Sequence, residues 1–374
     1  MTGLPLTVGT DLATGEPFTL DGSRFNRHTF WCGQSGSGKT YALGVVLEQL
    51  LLQTGLPVLV LDPNSDFVHL GDPVPETPPQ TAARIRALDV RVHRRTGLGM
   101  YDLVVRIADM DVASRAAVLR LDPVADAEEF HVLRQLESEF GPQDGPAMLE
   151  ALAGSEEPAR RALLRRMTNL GIPDWDVWAR GAVGLERVVD ERPDLVVADI
   201  GGFRIADEGA ATALAVLDSL WRDRERRRPL LIVIDEAHNL CPAEPTTPLA
   251  KALVERLVQI AAEGRKYGLW LLLSTQRPSK IHPQVLSQCD NLALLKTNAP
   301  ADLAHLAEFF GGVPPELLDA SPTSTQGQAL FSGGFAPRPT RVQMADRLTR
   351  QGGSDVKVPP VRLTDAHPSP TPPA

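Results

Sequence analysis

The run Gly33-Gln34-Ser35-Gly36-Ser37-Gly38-Lys39-Thr40 constrains this chain more than any other stretch. It fits G-x-x-x-x-G-K-[ST] and lies between a strand pattern and a helix pattern. His28–Cys32 (HTFWC) reads as the strand, and Lys39–Gln53 as a helix with Leu43, Val46, Leu47, Leu50 and Leu51 on one face. At such a junction glycines let the backbone curl until successive N–H groups face inward, and the helix N-terminus adds partial positive charge. A plain Gly/Ser linker rarely occupies this position. The loop therefore cradles phosphates. Lys39 is expected to reach the β- and γ-phosphates and the Thr40 hydroxyl to ligate Mg²⁺, with Gly33, Gln34, Ser35, Gly36, Ser37, Gly38 and Tyr41 completing a nucleotide site.

A second element follows the apolar run Leu230–Ile234, which delivers Asp235 and Glu236 at its end. Asp235 suits a magnesium ion held through its water shell, and Glu236 suits a general base acting on an attacking water. Acidic pairs after strands are common, but the phosphate loop gives this pair a partner. Gln276 follows the strand pattern LWLLLST and can bond both water and phosphate; the other reading is a surface glutamine at a loop start. Asp62 ends the apolar run at 57–61, where it either orients the water or Glu236 or serves as a turn carboxylate. ATP with Mg²⁺ is the expected ligand pair, and ATP hydrolysis the expected reaction.

Continuous apolar runs at 57–61, 194–199, 230–234 and 269–274, with helices between them, imply an α/β fold with a parallel, doubly wound sheet. Further strands are expected at 90–93 and 103–107. The chain divides into a first part of the core at 1–110 with a β lead-in, an inserted helical subdomain at 111–190, a second part of the core at 191–345, and a disordered Pro-rich tail at 346–374.

Composition limits the partners. An aromatic share of 5% argues against a nucleic-acid binder that works by base stacking. A net charge of -9 means that any contact with DNA phosphate must be local. Cys32, Cys241 and Cys289 are scattered and lack CxxC spacing, which removes a disulfide framework and a zinc site. No signal peptide and no long apolar span is visible, so a cytoplasmic protein without membrane contact is expected.

Several pieces in order carry a family resemblance: Asn26-Arg27-His28, GQSGSGKT, the DPN after the second core strand, IDEAHNLCP, AAEGRKYG, STQRPSKIHPQVLSQCDN and TNAPADLAHLAEFFG. The chain resembles the HerA-like hexameric ATPases, which are related to FtsK and to the conjugation and type IV secretion ATPases. That resemblance implies a RecA-like P-loop NTPase core and a ring that moves along double-stranded DNA. It also implies nucleotides bound between subunits, with Arg265 and Arg27 reaching a neighbour's site and Arg277 as the spare. From the residues alone, Arg265 is equally a helix-end charge and Arg27 a solvated one. By analogy the loops at 239–248 and 277–283 line the channel, the second offering Arg277, Lys280 and His282. The arginines at 222–228 read as a solvated helix end at the opposite sheet edge.

Family members usually begin with a small β-barrel, whereas this sequence starts almost at the motor, so docking of a partner nuclease is in doubt. Ring-closing segments are expected at 325–343. Two alternatives keep the nucleotide: an ATP-dependent switch or scaffold for a protein partner, and a conjugation or type IV secretion motor.

Overall fold

Apolar runs without polar alternation form strands buried on both faces, and the computed structural model of the chain shows this at its centre. It describes residues 3–139 and 145–353. The strands are β1 (Pro5–Asp11), β2 (Pro17–Asp21), β3 (His28–Cys32), β4 (Val58–Asp62), β5 (Val90–Arg94), β6 (Tyr101–Asp102), β7 (Leu195–Asp199), β8 (Leu230–Ile234), β9 (Leu269–Thr275), β10 (Cys289–Leu295), β11 (Gln328–Ser332) and β12 (Thr340–Met344). They make one 12-stranded sheet in the order β2-β1-β12-β11-β10-β3-β9-β8-β4-β7-β5-β6. From β10 to β6 all neighbours are parallel, and from β10 to β2 all are antiparallel.

Alternate side chains of the parallel strands enter two separate apolar layers. Leu59 and Leu61 of β4 and Leu230, Ile232 and Ile234 of β8 point into one, while Val58, Val60, Leu231 and Val233 point into the other. Helices must cover both faces of such a sheet. α1 (Lys39–Gln53) covers the second layer together with β1, and it is buried at nearly every position from 42 to 52. The expected single apolar face is thus too narrow a description, since a helix packed on both sides is apolar all round.

α2 (Pro79–Arg86) is followed by α3 (Val112–Val118), α4 (Ala127–Glu139), α5 (Gly145–Ala153), α6 (Pro158–Asn169) and α7 (Leu185–Glu191) within the expected insertion. Val118, Leu133, Leu163 and Val189 from these helices share one apolar cluster with α8 (Ala206–Arg222) and α9 (Pro248–Glu263). α10 (Pro283–Leu286), α11 (Pro300–Phe309) and α12 (Pro315–Asp319) follow in the second part of the chain.

Two expectations need correction. The strand expected at 103–107 is ladder-paired only at Tyr101–Asp102; Leu103, Val104 and Val105 are buried, but Val105 makes a single bridge, to Trp178. Their apolarity serves packing rather than sheet. The tail expected from 346 also begins too early. Arg347 and Thr349 are buried, and Arg347 pairs with the buried Glu48 of α1 at 3.1 Å. Residues 354–374 lie outside the described residues.

Candidate nucleotide-binding site

β3, β4, β8 and β9 are parallel, so whatever follows them gathers at one edge of the sheet. The loop between β3 and α1 bends through Gly36 and Gly38 at φ +75° and +87°, a region that glycine enters freely. Gly33 is needed for space: a Cβ there would stand 2.7 Å from both Ser37 Oγ and Leu295 Cβ. Gln34 ties the loop to the chain after β10, donating its N–H to the Lys296 carbonyl at 2.9 Å and accepting from the Asn298 N–H at 3.1 Å. The Ser37 hydroxyl is buried without a hydrogen-bond partner. A buried orphan polar atom beside such glycines fits a loop whose donors are meant for a ligand.

Lys39 opens α1 with its side chain only 4% exposed. Its Nζ donates to Asp235 Oδ1 at 2.7 Å and to Ser274 Oγ at 2.8 Å, and stands 3.4 Å from Glu236 Oε1. Burial opposes the ammonium charge, but Asp235 and Glu236 outweigh it and hold the Lys39 pKa above the usual lysine range. The Ser274 hydroxyl in turn donates to Asp235 Oδ1 at 2.6 Å. Glu236 has the left-handed angles φ 44° and ψ 48°, which cost about 1–3 kcal/mol in a non-glycine residue. Gln276 Nε2 donates to Glu236 Oε1 at 2.6 Å. Glu236 Oε2 is buried without a hydrogen bond, and His238 Nδ1, whose pKa burial pushes down, stands 3.4 Å from it.

Asp62, Asp66 and Asp235 each bring an oxygen within 4.8 Å of the others. Burial raises Asp62 to about 7, even though it accepts from the backbone N–H groups of Asn64, Asp66 and Phe67. Burial, with Asp235 adding to it, raises Asp66 to about 6. Asp235 Oδ2 is buried and unpartnered, and Thr40 is the second residue of α1. This all-oxygen set suits a hard divalent cation such as Mg²⁺. The contacts of Asp62 are those of a turn carboxylate, and the Tyr41 hydroxyl accepts from the Arg347 N–H at 2.8 Å. Sequence reasoning missed Ser274, Asp66 and His238. The signal for Ser274 was a polar residue closing an apolar strand, and for Asp66 a second acid four positions after Asp62.

The family model of the HerA helicase central domain matches residues 6–142. The DNA double-strand break repair helicase HerA of Pyrococcus furiosus is 21% identical over 384 residues, covering 85% of this chain and 65% of its own length. In sequence the chain is similar to the HerA-like P-loop ATPases. HerA of Sulfolobus acidocaldarius is 31% identical over 138 residues, or 37% of this chain and 27% of that protein. The chain spans about a third or less of the length of several curated HerA and probable-helicase relatives. The fold is similar to VirB4 of Thermoanaerobacter pseudethanolicus, with a TM-score of 0.61 at 16% identity over 92% of this chain and 97% of that one.

In this HerA-like chain the two arginines expected to act in trans lie far from the phosphate loop of their own copy. Arg27 precedes β3 and Arg265 precedes β9, so both stand where the parallel strands begin. A five-residue strand spans about 17 Å. Both face Asp290 Oδ2, Arg265 Nη1 at 2.7 Å and Arg27 Nη1 at 3.8 Å. The two loops expected to line a channel are joined to one another: Ala243 N–H donates to the Lys280 carbonyl at 2.8 Å and His282 N–H to the Cys241 carbonyl at 3.0 Å. Arg277 and Lys280 are exposed on this paired unit, which lies at the nucleotide edge. At the opposite edge Arg226 and Arg228 pair with Asp190. Among the described residues no helix is long and apolar enough to cross a membrane.

Proposed function

We propose that this chain hydrolyses ATP as a cytoplasmic ring, a hexamer by analogy with its family, and uses the cycle to move along double-stranded DNA. The observation that carries the reading is the convergence of Lys39, Asp235, Glu236 and Gln276 on the edge where the phosphate loop opens. Lys39 and the loop N–H groups would bind the β- and γ-phosphates, while Thr40 and Asp235 would hold Mg²⁺. The bound ion supplies charge neutralisation on the phosphate oxygens. Gln276 fixes Oε1 of Glu236, so Oε2 is the oxygen available to take a proton from water.

Arg27 and Arg265 cannot serve their own phosphate loop from the other edge of the sheet, which supports a site completed by an adjacent copy. Such an arginine is worth roughly 10³ to 10⁵ in rate. DNA as the track is supported by the HerA relatives and by Arg277 and Lys280 on the paired loops, a local basic site on an acidic protein.

Lys39→Ala and Glu236→Gln should each lower kcat at least about 10³-fold. Glu236→Gln should still bind ATP, measured with a fluorescent ATP analogue. It is the cleaner variant, because removing Lys39 also strands two buried carboxylates. Hydrolysis by Glu236→Gln at the wild-type rate would reject Glu236 as the base.

A further inference from the structure

Arg27, Arg265 and Asp290 come from three chain segments that enter neighbouring strands. β10, β3 and β9 lie side by side, and in their pairing Cys289 stands opposite His28. The three side chains are therefore delivered to one place at the strand entrances, the edge away from the phosphate loop of the same copy. Their exposures of 43%, 34% and 48% leave them open to solvent, unlike a pair built to hold a core together. Exposed ion pairs contribute little stability.

The charges do not cancel. Two guanidiniums and one carboxylate leave a net positive charge, and both arginines use the same oxygen, Oδ2. Arg265 engages Asp290 through Nη1, and no other hydrogen bond of its side chain is made among the described residues. Its fork retains donors for an anion. Behind the cluster His28 is buried, with Nε2 on the Ala261 carbonyl and Nδ1 on the Leu271 N–H. A ring fixed in this way stays neutral and adds no charge to the cluster.

We propose that Asp290 is a positioning residue that holds Arg265, and through the shared oxygen Arg27, aimed at the phosphates bound by an adjacent copy of the chain. This rests on the reading of the two arginines as trans-acting. An arginine on a flexible stem loses rate when it must find its geometry anew in each cycle, and a misplacement of about 1 Å can cost about 10²-fold. One carboxylate oxygen shared between two guanidiniums restrains both without neutralising both.

Steady-state hydrolysis by the full chain with duplex DNA at low salt tests this. Asp290→Ala should lower kcat about tenfold with KM for ATP unchanged, while Asp290→Asn, which keeps an acceptor oxygen, retains most of the rate. The triple variant Arg27→Ala/Arg265→Ala/Asp290→Ala should be no slower than the double variant Arg27→Ala/Arg265→Ala.

The deciding arm mixes subunits. Glu236→Gln copies lack the base but carry intact Arg27, Arg265 and Asp290. In equimolar mixtures with them, the ratio of Asp290→Ala to wild-type turnover should rise from about one tenth towards one, because each Asp290→Ala site can then face an intact neighbour. An unchanged ratio, a wild-type rate for Asp290→Ala, or a triple variant slower than Arg27→Ala/Arg265→Ala would overturn the inference. Arg265→Ala at the wild-type rate would instead remove the trans-arginine reading beneath it, and no hydrolysis by the wild-type chain would remove both.

Discussion

His28 joins three elements with one ring. It sits in β3, donates from Nε2 to the Ala261 carbonyl of α9 at 3.0 Å, and accepts on Nδ1 from the Leu271 N–H of β9 at 2.9 Å. A proton on Nδ1 would face another donor. Burial, with the nearby Arg265 and Arg27 adding to it, pushes the His28 pKa down to about 4. The folded chain therefore binds fewer protons than the unfolded chain between about pH 4 and the ordinary histidine value near 6.5. Its contribution is complete above about 6.5 and is lost as pH falls through about 4, an effect of at most roughly 3 kcal/mol. The ring protons of His28 should titrate near pH 4 by NMR; a midpoint near 6.5 would contradict the burial argument. The residues of the site differed in how legible they were. Lys39, Asp235, Glu236 and Gln276 could be read because each follows an apolar strand or lies in a spaced motif. Ser274, Asp66 and Asp290 could not, since their significance comes from partners far away in the chain.

α1 shows how an element can depend on a segment that its own sequence does not announce. Gly44 lies mid-helix, where glycine costs about 1 kcal/mol against alanine. A Cβ there would come within 2.5 Å of Arg347 Cζ, so the glycine makes room for the strap that follows β12. That strap closes on Glu48, which accepts from Arg347 Nε at 3.1 Å and from the N–H groups of Leu348 and Thr349 at 2.8 and 3.0 Å. Glu48→Gln leaves the buried Arg347 without its counter-charge and turns one acceptor into a donor. It should lower stability by roughly 3 kcal/mol, seen as a lower urea midpoint with an unchanged slope. A midpoint equal to wild type would mean that the strap does not hold the helix. The same elements mark the limit of sequence reading. The long apolar strands and α1 were evident, but β10 shows only a short apolar run among polar residues, and β11 and β12 sit where only a ring-closing segment was expected. The strap carries a charged pair where the sequence suggested tail, and a buried Arg–Glu pair has no hydrophobic signature.

At the scale of the whole molecule, the parallel sheet sorts its functional groups by edge. The phosphate loop, Asp235, Glu236 and Gln276 occupy the strand exits, and Arg27, Arg265 and Asp290 the strand entrances. If the two arginines act in trans as proposed, one copy holds both halves of a site but cannot bring them together, since five strand residues span about 17 Å. Head-to-tail contacts that close on themselves make rings. On the proposed reading, turnover therefore belongs to the assembly rather than to the chain. The most direct measurement is ATP turnover per chain against chain concentration, with duplex DNA at low salt and the mass of the assembly recorded alongside. Turnover should rise steeply as chains assemble and be stimulated by the duplex. A rate per chain that is constant from monomer to assembly would contradict this.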